Sequence, residues 1–357
     1  MITKVREMST LTEEQSSQKR TFWFAFLFIV VTVIGLTYVK WWPYYHKAIL
    51  SFQTHSIGDS ILQDQISNSF SWSAAVSYTV AYFQSVWKAA VLGILLGSLV
   101  QVLLPSGWLL KVLGKTSFGS TAAAGLASIP GMMCTCCAAP VAVGLRKKNA
   151  SVGASLAFWI GNPTINPATL IFMTFVLSWK FTLLRLVIGL ILTFGISYLA
   201  NRFVKDTPSV SVDKLIEDAE EDKRSFMKRW LASLGSMILY VVPAYVLSVL
   251  ILGAARFWIF PQLSDSMSNS LIAILIFAIA GMLFVIPTAA EIPIIQTLMM
   301  MGLGAGPAAA LLITLPSISL PSLLIVAKSF PRKVLVFVSL SVVVLGIISG
   351  LIGKVIL

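Results

Sequence analysis

Cysteine is nearly absent from this chain: its 357 residues hold three, all in the run Cys134-Thr135-Cys136-Cys137. Such scarcity excludes a disulfide-stapled scaffold, and with only His46 and His55 to add, it argues against a closed four-ligand zinc site of the usual spacing. Acidic residues are few as well, 14 against 26 lysines and arginines, and Glu291 is the single acid between Asp265 and the carboxyl end. Charged residues make up 11% of the chain and hydrophobic ones 57%, too little polar surface to keep so long a chain in water. A G-x-x-x-x-G-K-[ST] loop, an H-E-x-x-H helix and a G-x-S-x-G turn are all missing. Self-supplied ATP hydrolysis and intramembrane hydrolysis are therefore not indicated, and neither enzyme activity nor a cofactor is expected. The net charge of +12 does not argue for a nucleic-acid partner, because the basic residues collect beside apolar segments, where they act as topology signals.

What is present suits hydrocarbon. Mean hydropathy is +0.89, and apolar runs long enough to cross about 30 Å of lipid recur along the chain. They occupy residues 22–39, 81–104, 120–145, 150–177, 181–203, 230–255, 271–301, 303–327 and 334–357. Two of them are interrupted, 120–145 by Pro130 and Pro140 around the cysteines, and 271–301 by Pro287 and Pro293 around Glu291. If both enter and leave on one side as re-entrant hairpins, the basic clusters before residue 21, at Lys111 and Lys115, at Arg146-Lys147-Lys148, at 202–229 and at 328–333 all face the cytoplasm.

On either side of the charged stretch 205–229 the same order returns: a long span, a proline-broken segment, a span with a proline-polar patch, a closing span. Cys134 follows Pro130 by four residues and Glu291 follows Pro287 by four, and the two halves start on opposite sides. The expected fold is an all-α polytopic membrane protein, an inverted repeat with two proline-broken re-entrant hairpins plus an extra N-terminal transmembrane helix. Residues 1–72 are assigned to a cytoplasmic N-terminus, the first transmembrane helix and an outer loop. Residues 73–203 form the first membrane repeat with the cysteine motif, 204–229 a charged cytoplasmic linker, and 230–357 the second, inverted repeat. The implied location is the plasma membrane, multi-pass, with lipid as the surrounding partner; a homo-oligomer stays open.

Soft sulfur ligands crowded at membrane depth suit a thiophilic cargo, so Cys134, Cys136 and Cys137 are the candidate metal or metalloid ligands, with the Thr135 hydroxyl beside them. Three small apolar core residues are the plainer alternative. Glu291, an acid costly to place in hydrocarbon, is expected to face the bundle interior and serve as a proton site, or else to bond a broken helix end as a neutral carboxyl. Asn162, Asn166, Ser317 and Ser319 stand beside prolines inside apolar runs; they either line a cargo site or repair backbone bonds lost at those prolines.

The run Cys134-Thr135-Cys136-Cys137-Ala138-Ala139-Pro140-Val141, the basic turn Arg146-Lys147-Lys148 after Gly144-Leu145, and Ile286-Pro287 with Glu291-Ile292-Pro293 together resemble the family of predicted permeases that includes the organoarsenical efflux permease (ArsP-like) and YraQ-type permeases. Against that family's C-S-C-G-x-x-P element, Thr135 keeps a hydroxyl and Cys137 adds a third thiol. The resemblance implies a secondary, proton-coupled permease exporting a thiophilic metal, metalloid or organoarsenical, with Cys134 and Cys136 as the most direct ligands. Uptake of a sulfur-containing anion and thiol exchange by a membrane oxidoreductase are the competing expectations.

Overall fold

The computed structural model describes residues 23–58, 72–104, 106–204, 225–259 and 270–357. The amino-terminal basic residues, most of the charged stretch 205–229, and parts of the connections around residues 59–71 and 260–269 lie outside them. All regular structure among the described residues is helical, as a chain surrounded by lipid requires, since a helix satisfies its backbone groups internally.

Six helices among the described residues are long and apolar enough to cross a membrane. Helix α1, Trp23–Thr54, is the first. It is longer than the predicted run 22–39 because Lys40 does not end it: a π-helical segment, Thr37–Trp41, turns that lysine inward, and Pro43 sits where the next α-helical stretch begins and needs no N–H donor. Helix α2, Trp72–Leu103, and a short α3, Ser106–Leu113, lead into the first broken segment. This segment comprises α4, Phe118–Ser128, a single 3-10 turn Ile129–Gly131, and α5, Thr135–Lys147. The predicted span at 150–177 is split into α6, Val152–Thr164, and α7, Pro167–Val176; α8, Trp179–Phe203, closes the first half.

The second half repeats the order with α9, Phe226–Ile259, then α10, Leu271–Leu283, and α11, Glu291–Met300, on either side of an irregular stretch. It ends with α12, Ala305–Ser317, α13, Leu320–Val326, and α14, Arg332–Ile356.

Contacts along α6 fix the course of the first broken segment. Ala124 clusters with Ala154 and Ala157, and Ser128 lies against Gly161, so α4 runs beside α6 in the same direction. Beyond the break the order reverses: the Met133 N–H donates to Asn162 Oδ1, the Trp159 indole N–H donates to the Thr135 carbonyl, and α5 ends at a turn in which the Ala150 N–H bonds the Leu145 carbonyl. In the second half, Ile274 and Ala278 pack on Ala310, and Gly281 on Thr314, so α10 likewise accompanies α12. Helix α2 presses its backbone onto α5, because Gly93 and Gly97 place nothing between it and the carbonyls of Cys137 and Pro140.

Both breaks share a backbone device. Met132 and Ala289, each two residues after its proline and two before Cys134 or Glu291, hold left-handed conformations at φ 49° and 68°. A side chain in this region costs on the order of 1 kcal/mol or more, so the surrounding packing must hold both turns in place.

Candidate functional site

The two breaks meet. Cys134 and Thr135 from the first, and Ile286, Pro287, Thr288, Ala289 and Glu291 from the second, line one small cavity, completed by Pro163 and Thr169 of the first half and Leu315 and Pro316 of the second. Its free space is about 10 Å³, room for roughly one water molecule.

Within the cysteine turn the three sulfurs take two directions. The Cys134 thiol donates to the Cys137 sulfur at 2.9 Å, while the Cys136 sulfur lies 3.4 Å from the Ser319 hydroxyl. All three are free thiols and buried. Among the described residues no group of three or more His, Cys, Asp or Glu side chains is placed to hold a metal ion. The geometry therefore offers a pair of sulfurs, Cys134 with Cys137, and a separate third. Helical phase explains the division: Cys134 caps α5, Cys137 stands one turn along on the same face, and Cys136 points about 100° away.

Thr135 reaches the Ser319 hydroxyl at 3.4 Å, its carbonyl accepts from Trp159 at 3.0 Å, and Ser319 in turn bonds Ser322 as the cap of α13. Asn162 reaches the first break through Met133 and donates to its own helix at the Phe158 carbonyl. Asn166 caps α7, accepting from Ala168 and Thr169. Ser317 donates to the Ile313 carbonyl within its own helix. Ser319 and Asn162 thus join the cysteine turn, whereas Asn166 and Ser317 satisfy backbone beside prolines.

Glu291, a lone acid in the sequence reading, has a partner. Arg185 of α8 donates from Nη1 to its Oε1 at 2.7 Å, both side chains being at most 2% exposed. The same guanidinium donates from Nη2 to the Pro163 carbonyl at 2.7 Å and from Nε to the Thr164 carbonyl at 3.4 Å. Pro167 has no N–H to return to Pro163, and the N–H of Ala168 is taken by the Asn166 cap, so both carbonyls are orphans that Arg185 satisfies. An unpaired carboxylate here would be costly; a bonded ion pair between the halves is tolerable.

A second cation comes from α1. The Lys40 ammonium, 5% exposed, donates to the Thr288 hydroxyl and to the Tyr44 hydroxyl, each at 3.0 Å. Next to it, Trp41 donates its indole N–H to the Pro130 carbonyl at 2.8 Å. Helix α1 therefore holds both breaks. The Tyr82 and Tyr245 hydroxyls bond each other at 2.8 Å, and Tyr78 donates to the Val285 carbonyl, just before the second break, at 2.7 Å. Sequence reasoning missed Arg185, Lys40 and the tyrosines. The first two carried a signal, a charge within or at the edge of an apolar run; the tyrosines carried none.

Residues 124–355 match the family model described as predicted permease, of the ArsP type. The UPF0718 protein YraQ of Escherichia coli (strain K12) is 50% identical over 343 residues, 95% of this chain and 98% of that protein. The UPF0718 protein MJ0584 of Methanocaldococcus jannaschii is 36% identical over 134 residues, 37% of this chain and 36% of that protein. No solved structure matches. The family match takes in both breaks, Arg185 and Glu291 and begins beyond α1, whereas the likeness to YraQ covers nearly the whole chain. The chain belongs to the ArsP-type family of predicted permeases.

Proposed function

We propose that the cavity between the two breaks is the cargo site of a secondary, proton-coupled permease that exports a thiophilic metal, metalloid or organoarsenical. The observation that carries this reading is Cys134, its sulfur paired with that of Cys137 behind it, in a wall shared with Glu291 from the other break. Two sulfurs one helical turn apart suit a soft centre of low coordination, and so few ligands allow release as well as capture. Cys136, with Thr135 and Ser319, is a neighbouring station for the same cargo, and Asn162, Asn166 and Ser317 hold the broken spans that frame the site.

In this reading the halves 73–203 and 230–357 are inverted repeats joined by the cytoplasmic linker 204–229. The broken segments are re-entrant hairpins whose tips meet near the membrane midplane, and the amino terminus is cytoplasmic. Glu291 is the proton site: protonating its carboxyl would free Arg185 and loosen the bond between the halves, so proton binding and rearrangement are linked through one ion pair. The decisive experiment compares resistance and accumulation of arsenite, methylarsenite, copper and zinc in cells with and without the chain. A gain of resistance and a fall in accumulation for one of them, lost in Cys134→Ser, is the expected result; no change for any of them removes the efflux reading.

A further inference from the structure

Glu291 is the only acidic side chain among the described residues, and Arg185 occupies it. Lys40, bonded to Thr288 of the cavity wall, therefore brings next to the cavity a positive charge that no described carboxylate answers; its two bonded partners are neutral hydroxyls. A buried ammonium is costly without a counter-charge. Two independent observations concern the cavity that Thr288 lines. Thr169, 1% exposed, lines the cavity with a hydroxyl that has no hydrogen-bond partner. Helices α5 and α11 both begin at the cavity, at Cys134 and Glu291, so the positive ends of two backbone dipoles point into it.

We infer that Lys40, Thr288 and Thr169 form an anion-binding subsite beside Cys134, and that the site also takes a small anion with a thiophilic atom. The soft atom meets the sulfurs, the charged oxygens meet the ammonium and the two hydroxyls, and Lys40 supplies the compensation that a cation or a neutral metalloid would not need. This rests on the reading of the cavity as the cargo site and adds to it a class of cargo, the thiophilic anion, that the efflux reading does not include.

The test uses the full chain in proteoliposomes, with protection of Cys134 from alkylation as the readout and thiosulfate, sulfate and methylarsenite as probes. Thiosulfate is expected to protect, and sulfate, which lacks a soft atom, to protect far less. Lys40→Gln and Thr169→Val should each weaken thiosulfate protection, the first by roughly tenfold or more and the second by a few-fold, as expected for loss of a charged and of a neutral hydrogen bond. Lys40→Arg should retain most of it, and methylarsenite protection should stay within about threefold throughout. Should Lys40→Gln fail to fold, Thr169→Val decides the matter alone, since its hydroxyl bonds nothing else. Protection by methylarsenite with none by thiosulfate, or thiosulfate protection unchanged in the variants, overturns the anion subsite and leaves the cargo site standing. No protection by any probe removes the cargo site itself.

Discussion

The guanidinium of Arg185 and the carboxylate of Glu291 meet at 2.7 Å across the boundary between the two halves, with both side chains almost wholly out of contact with the surroundings. Removing either alone strands the other charge in a low-dielectric interior, which typically costs about 3–5 kcal/mol. Glu291→Gln and Arg185→Gln are therefore each expected to lower the thermal unfolding midpoint in detergent strongly. The double replacement should restore much of the stability, though not all, because the Pro163 and Thr164 carbonyls still lose a charged donor. Losses that simply add in this cycle would refute the pairing.

The cysteines should separate by position. Cys134→Ser and Cys137→Ser are each expected to abolish tight capture of a trivalent arsenical that bridges two thiols, since each removes one sulfur of the 2.9 Å pair. Cys136→Ser should capture it nearly as the native chain does, because that sulfur faces Ser319 instead. Titrating the three variants with phenylarsine oxide and counting the remaining thiols checks this, and equal losses in all three would show that the turn acts as a single cluster.

Trp41 and Trp42 are adjacent in sequence and opposite in consequence. Trp41→Phe leaves the Pro130 carbonyl without its indole donor and is expected to cost about 0.5–1.5 kcal/mol, with faster hydrogen exchange around residues 129–134. Trp42→Phe, at a ring that is 64% exposed, should change neither. Hydrogen exchange followed by mass spectrometry on both variants gives the comparison, and a first break that exchanges at the native rate in Trp41→Phe would discount the indole bond.

The sequence carried the architecture through composition and punctuation. Apolar length marked most of the helices, and Pro130 and Pro287, with equal spacing to Cys134 and Glu291, marked both breaks. The run 150–177 showed its polar patch at Asn162 to Pro167 without showing that the helix there divides into two pieces. Charge was less legible than apolarity. A lysine closing a hydrophobic run reads as the edge of a span, yet the π-helical turn at Thr37–Trp41 makes Lys40 an interior residue, and no local pattern announces such a turn. Arg185 stood in plain view inside an apolar run, but its partner is 106 residues away, and only the folded chain joins them. The left-handed Met132 and Ala289 were invisible for another reason: neither residue type favours that conformation, so tertiary packing imposes it.

The neighbouring side chains of Lys40 and Trp41 grip opposite partners, one at Thr288 and the other at Pro130. The first helix is thereby a latch spanning a seam. Were one half to rock over the other, at least one of these two bonds would have to open or α1 would have to travel with a single tip and slide past its counterpart. The helix that precedes the family match thus couples the position of one break to that of the other.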